Sequence, residues 1–308
     1  MSEAELNSSS RKMLQSEIIS LIDTLPKEAL NALKELAESA NDVKNNDASN
    51  ITLQRIIQRM FVRSVNEFFT AEHVSMQMTQ ARLRRYRIST NPKRIQLPNT
   101  DSDSNISFNE VIERRRSVRD YLATPLALDR FASVLKLSFG KNGSEDGYGV
   151  RDLPLYPYPS MGGLSSFDVG VAVQNIEGIP KGYYRYDQVG HTLEPIINGD
   201  IRLALQDVTF ESDWLLYAPF VVVLVHDANS FLWKYHTRGY RIAHIDAGAA
   251  VQSLYLSASS MGLGCCAVAG FLDEPINALL GYNGLDKYVS IVLGVGEPAT
   301  PILSRSAK

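Results

Sequence analysis

The chain has 308 residues, 44% of them hydrophobic and 21% charged, the composition of a globular protein that can bury one large core or two modest ones. A formal net charge of −3 is too near balance to mark nucleic acid or an acidic partner as its main target. No apolar run reaches the roughly 18 residues of a membrane-spanning helix, and the opening MSEAELNSSSRKML lacks the apolar core of a secretion signal, so a cytoplasmic setting is expected.

Residues 1–10 are polar and read as frayed chain. Helical patterns follow over 13–24 and 27–37, with Asp23, Thr24 and Pro26 marking the turn between them. The polar run ESANDVKNNDASN, 38–50, is a linker by composition. A long amphipathic pattern then spans 52–86, with Ile56, Met60, Val62, Val65, Phe68 and Phe69 at helical spacing. Its end is basic, from Arg82 to Arg94. Three readings of that end stay open: a solvated face, an arm around a partner subunit, or a surface for an acidic peptide. A second linker, NPKRIQLPNTDSDSN, separates this helical front, 1–100, from a larger domain over 101–308.

In that domain the patterns predict helices over 108–116, 128–138, 200–206, 244–261 and 274–280. Strands are predicted over 167–174, 182–186, 220–225 and 288–293. The strands are β-branched and unevenly separated, which argues for an α+β fold with a mainly antiparallel central sheet flanked by helices.

Three segments could carry chemistry. ERRRSVRDY, 113–121, ends a helical pattern in consecutive arginines beside a serine; guanidinium groups bind phosphate through paired donors, but the cluster also reads as an ordinary basic surface. LYPYPSMGGLSSF, 155–167, holds Pro159 and the pair Gly162–Gly163, either a plain turn or a loop whose backbone can approach a ligand closely. SSMGLGCCAVAGF, 259–271, follows a helix of small residues suited to tight packing. Its GLG closes a helix and does not open one, so it is not a dinucleotide fingerprint. Cys265 and Cys266 within it are adjacent, too few for a zinc site, and read as small buried hydrophobes; no metal is expected.

In this order, RRSVR, PSMGG and GLG…AGF resemble the motifs of the nitroreductase superfamily of flavin enzymes, over roughly 109–298. More narrowly the chain resembles the SagB-type or McbC-type azoline dehydrogenases, in which a Lys-Tyr pair precedes an RGYR…G segment, as in KYHTRGYRIAHIDAG. The resemblance implies a nitroreductase-like fold and FMN held noncovalently at a homodimer interface. It places Arg115, Arg116, Ser117 and Arg119 on the phosphate, ribityl chain and ring edge. Pro159, Ser160 and Gly162 would line the isoalloxazine, Ala269 and Gly270 would offer backbone donors near N5, and Arg305 is a candidate further phosphate ligand. The loop departs from close relatives in continuing as LSSFDV.

The implied activity is oxidation of peptide thiazoline or oxazoline rings to thiazoles or oxazoles, on a ribosomal peptide or a carrier-bound substrate. A cyclodehydratase or synthetase partner goes with it, and oxygen would reoxidise the flavin. Aromatisation needs a base, and Lys234 can serve if neighbouring cations such as Arg238 or Arg241 keep it neutral, with Tyr235 relaying the proton. Adjacent residues on a strand face opposite ways, so both reach one site only if the segment is irregular; the alternative is a solvated turn after FVVVLVHD. His236 and His244 read as packing or surface histidines more than as participants, Tyr240 and Arg241 as residues that orient the segment, and Trp233 equally as a ring to stack on a ligand or as core packing. Two competing functions remain: an NAD(P)H-dependent nitro or quinone reductase, and a flavin-free scaffold subunit.

Overall fold

The run FVVVLV is apolar at every position because the strand it forms is buried on both faces. In the computed structural model, which describes residues 86, 88–99, 106–210, 212–235 and 238–300, this segment lies near the centre of a seven-stranded sheet. In chain order the strands are β1 (Ile95–Gln96), β4 (Phe167–Val173), β5 (Gly182–Asp187), β6 (Thr192–Asn198), β7 (Phe220–Asp227), β8 (Gly264–Val268) and β9 (Lys287–Gly296). A separate hairpin is formed by β2 (Gly143–Gly147) and β3 (Val150–Leu155). The sheet order is β1-β6-β5-β4-β7-β9-β8, and every pairing is antiparallel. The α+β, mainly antiparallel expectation holds.

Six α-helices lie among the described residues: α1 (Phe108–Arg114), α2 (Leu128–Phe139), α3 (Arg202–Asp207), α4 (Ala228–Tyr235), α5 (Arg238–Ser260) and α6 (Asp273–Leu280). Side chains alternate across a strand, so β7 divides between two cores. Phe220, Val222 and Leu224 pack with Phe131 and Leu135 of α2 and Ala250 and Leu254 of α5. Val221, Val223 and Val225 face the other way, against Leu205 of α3 and Ile276 and Leu280 of α6. Phe131 and Phe220 meet edge to face, centroids 4.9 Å apart, both fully buried. Burial of each such side chain contributes about 1.5–3 kcal/mol. The small residues Ala247, Ala250 and Ala258 of α5, all buried, let this long helix lie close on the first core.

Several local expectations are corrected. Within the stretch read as a second linker, Ile95–Gln96 instead pairs with β6 as an edge strand. The hairpin β2–β3 and strands β6 and β8 were not anticipated: GSEDG and VRDLPL lack apolar alternation, and TLEPIIN carries a proline. Helix α5 begins at Arg238, six residues before the predicted start, and α4 stands where an irregular segment or turn was expected. The helical patterns over 13–24 and 27–37, the linker 38–50, nearly all of 52–86, His236 and Arg305 lie outside the described residues. Among the described residues no helix is long and apolar enough to cross a membrane.

Candidate active site

The end of β7 sets up the site. Asp227 closes the strand and its Oδ1 accepts from the Asn229 amide at 3.1 Å, while Ser230 Oγ donates to Asp227 O at 2.7 Å. The first bond occupies a backbone N–H that a helix start leaves unpaired, the second ties the first turn to the strand end, and the chain enters α4. Phe231 of α4 packs with Ala228 and Ala243. A β-carbon on Gly239 would stand 2.6 Å from the Phe231 ring, so the glycine of RGYR permits α4 to lie against α5. Lys234 and Tyr235 therefore end a helix, and both reach the same place without the strand irregularity first invoked for them.

That place is the PSMGG loop, a short 3-10 turn over Met161–Gly163 in which Gly162 and Gly163 have φ of 64° and 67°. A β-carbon at Gly162 would stand 2.5 Å from Lys234 Nζ, 2.5 Å from the Tyr235 hydroxyl and 2.7 Å from the Tyr148 hydroxyl. Three polar heads thus converge on one α-carbon, and the left-handed backbone there again requires glycine. Lys234 Nζ donates to the Tyr148 hydroxyl at 2.5 Å, and that hydroxyl donates to Gly162 O at 2.7 Å. The ammonium also lies over both aromatic rings, 4.5 Å from the Tyr148 centroid and 4.9 Å from that of Tyr235. Trp233 packs edge-on against Tyr148 at 5.7 Å, and its Nε1 donates to Ser230 O. Tyr148 was missed in the sequence, and only the unusual Tyr-Gly tip of an unrecognised hairpin could have flagged it.

The electrostatics differ from the expectation of a neutral lysine. Burial acts to lower the Lys234 ammonium, but its hydrogen bonds to Tyr148 and Tyr235 outweigh that and hold it above the ordinary lysine value. Tyr235 is shifted up, chiefly by burial, with Lys234 opposing. At neutral pH the group is an ammonium between phenols. Arg241 is exposed and Arg238 half-buried, and neither figures among the influences on Lys234. Asp246, buried on α5, accepts from the Met161 amide at 3.0 Å and fastens the loop to the helix; burial pushes its carboxyl up. Ser160 serves the loop itself, its Oγ accepting from the Ser165 amide at 3.2 Å.

Two adjoining cavities of about 410 and 480 Å3 flank the loop. Tyr156, Pro159 and Ser160 line the first; Glu145, Tyr148 and Gly162 line the second; Leu155 and Gly163 border both. The hairpin β2–β3 is thus the outer wall of a cleft whose floor is the PSMGG loop.

The RRRSVR segment lies against another part of α5, at Tyr255. Arg115 caps α1 and places its guanidinium 5.3 Å from the Tyr255 ring centroid. Ser117 Oγ lies 3.2 Å from the Tyr255 hydroxyl, which accepts from the Ala267 amide at 3.0 Å. Ser117 bridges to Cys265, and Val118 N donates to Cys265 O, so the segment runs alongside β8. Both cysteines are free and buried, as their reading as small hydrophobes expected. From Asp246 to Tyr255 the helix rises about 13 Å, so α5 carries the loop anchor and the arginine seat at separate levels.

Ala269 and Gly270 are exposed just beyond β8, with Gly270 O accepting from Phe210 N at 2.9 Å. Among the described residues, Arg115, Arg116 and Arg119 form no ion pair, and Arg116 and Arg119 are exposed. Uncompensated guanidinium groups beside a serine hydroxyl suit a phosphate, and glycine-rich exposed backbone suits a flat ring. The donor set fits FMN.

Comparison with known proteins bears on the family and the fold. The sequence pattern described as "Nitroreductase family" matches residues 112–297. A nitroreductase-named chain from Methanocaldococcus jannaschii is 28% identical over 202 residues, 66% of this chain and 95% of that one. The microcin B17-processing protein McbC of Escherichia coli is 30% identical over 123 residues, 38% of this chain and 45% of McbC. Among solved structures, a nitroreductase-type protein from Anabaena variabilis superposes with a TM-score of 0.56 at 26% identity, covering 67% of this chain but only 41% of its own. The E. coli microcin synthetase McbBCD complex with truncated pro-MccB17 bound shares the fold, with a TM-score of 0.52 at 22% identity over 80% of this chain and 93% of the other. The chain belongs to the nitroreductase family of oxidoreductases, whose members typically bind FMN.

Proposed function

We propose that this chain oxidises thiazoline or oxazoline rings, carried on a peptide or a carrier protein, to thiazoles or oxazoles. The observation that carries the reading is the convergence of Lys234, Tyr235 and Tyr148 on Gly162. Aromatisation removes a proton from one ring carbon and a hydride from its neighbour. Bound FMN supplies the hydride acceptor; the chain must supply the base. Lys234 is the base and Tyr235 shares the proton. In the open site its hydrogen bonds hold Lys234 as the ammonium, so the base must be generated when substrate binds. Burial is the largest influence on it and acts downward, so a flat ring closing over this half-buried amine adds to the influence that makes it a base.

Arg115, Arg116, Ser117 and Arg119 hold the flavin phosphate, ribityl chain and ring edge in this reading, with Arg305 as a further phosphate ligand. Pro159, Ser160 and Gly162 line the ring, and Ala269 and Gly270 offer it backbone donors. The likeness to McbC supports azoline chemistry, and the shared fold of the McbBCD component suggests a cyclodehydratase or synthetase partner. A homodimer, a cytoplasmic setting and reoxidation by oxygen complete the proposal.

The coverage of the M. jannaschii relative favours a second reading, an NAD(P)H-dependent nitro or quinone reductase. Incubating the FMN-loaded protein with a thiazoline peptide in air separates the two. The proposal predicts loss of two hydrogens from the peptide with wild type and none with Lys234→Ala. An unchanged peptide together with NADPH-driven reduction of a quinone supports the reductase.

A further inference from the structure

The tip of the β2–β3 hairpin is a two-residue turn, Tyr148–Gly149, between the paired residues Gly147 and Val150. Both tip residues are left-handed, with φ of 53° and 74°. Such turns favour Asn-Gly or Gly-Gly, because both central residues must accept positive φ. A tyrosine there is a bulky residue in a region that bulky residues avoid, and strain of this kind persists where the surroundings compensate it. What the side chain reaches is the Lys-Tyr pair, across 86 residues of sequence.

We propose that Tyr148 is a positioning residue of this site, whose hydroxyl fixes Lys234 Nζ from the hairpin side so that one tetrahedral direction of the amine is left for the substrate. The phenol has a single hydrogen, and it is donated to Gly162 O at 2.7 Å. Toward Lys234 the oxygen can therefore only accept, which it does at 2.5 Å. On the other side the same ammonium lies over the Tyr235 ring, 4.9 Å from its centroid, and the Tyr235 hydroxyl converges with it on Gly162. When a proton leaves, one remaining N–H stays aimed at the Tyr148 oxygen, the Tyr235 ring covers a second side, and the lone pair takes up the open direction. The Trp233 ring, edge-on at 5.7 Å, and the neighbouring Leu153 and Leu164 keep the Tyr148 ring in place. The inference rests on the proposed role of Lys234 for its catalytic consequence, but the contact itself does not.

The test is the pH dependence of Lys234 labelling by an amine-selective acylating reagent, read by peptide mass spectrometry on the full FMN-loaded chain. Wild type is compared with Tyr148→Phe and Tyr148→Asn. The first keeps the ring; the second suits the turn but cannot reach the amine. Removing an acceptor that favours the ammonium lowers the labelling midpoint in both variants by roughly half to one pH unit, or about threefold to tenfold faster labelling at a fixed pH below it. In parallel, azoline turnover by Tyr148→Phe falls in kcat with little change in KM, and its rising pH limb moves the same way. Superimposable labelling curves, or a midpoint that rises, overturn the proposal. A shifted midpoint in a protein that oxidises no azoline retains the contact and rejects the azoline reading.

Discussion

Replacing Gly162 by alanine tests the geometry most severely with the smallest change. The backbone there has φ of 64°, where a β-carbon costs about 1–2 kcal/mol. The new methyl would stand 2.5 Å from Lys234 Nζ, 2.5 Å from the Tyr235 hydroxyl and 2.7 Å from the Tyr148 hydroxyl. Ordinary contact begins near 3.5 Å, so each head must withdraw by about 1 Å. A displacement of that size at a reacting group costs on the order of a hundredfold in rate. The loop is exposed and its anchor on Asp246 is untouched, so the global cost stays near the backbone term, a fall in Tm of about 2–8 °C. The assay is flavin content and thermal stability beside the single-turnover rate of azoline oxidation. The expected pattern is a yellow, folded protein slowed about a hundredfold. A Gly162→Ala protein with wild-type rate would refute the convergence on this α-carbon.

Gly239→Ala should act at a distance, because its methyl meets the Phe231 ring at 2.6 Å and forces α4 off α5. Overpacking of this kind costs about 1–3 kcal/mol, seen in thermal melts, and azoline turnover falls with flavin binding intact. Arg115→Ala should weaken FMN about tenfold to a hundredfold, the loss of a charge-assisted contact, yet leave riboflavin, which lacks the phosphate, nearly unchanged in a fluorescence titration. Asp246→Asn keeps an acceptor for Met161 N but removes a titration. The unfolded aspartate ionises near pH 3.9, and burial raises it in the fold, so between those values the native state binds more protons. Stability from this group is complete below the unfolded value and is lost as pH rises through the folded one. Denaturation midpoints of Asp246→Asn should therefore lose that downward slope relative to wild type.

The sheet was legible because its inner strands are apolar on both faces: Phe167–Val173 and Phe220–Asp227 announce themselves by composition alone. The edges were not, since β1 is two residues long and β6 carries Pro195. Motif resemblance places the Lys-Tyr pair as catalytic and the PSMGG loop along the flavin ring, and the structure brings the two together at Gly162. Their local frame was misread, because ANSFLWKY is short and follows a strand without an apolar repeat of helical period. What starts the helix is Asp227, a cap that looks like the end of a strand. Tyr148 and Asp246 escaped for a different reason. Each belongs to the site through a long-range contact, Tyr148 to Lys234 across 86 residues and Asp246 to Met161 across 85, and neither sits in a pattern that sequence periodicity can register.

In the proposed reaction Lys234 takes a proton from an azoline ring. The most direct measurement mixes anaerobic, FMN-loaded wild type and Lys234→Ala with a thiazoline peptide and follows the flavin absorbance. Wild type should bleach, faster as pH rises, while the flavin of Lys234→Ala stays yellow. Equal bleaching of the two proteins, or a wild type that ignores thiazolines and bleaches only with NADPH, would contradict it.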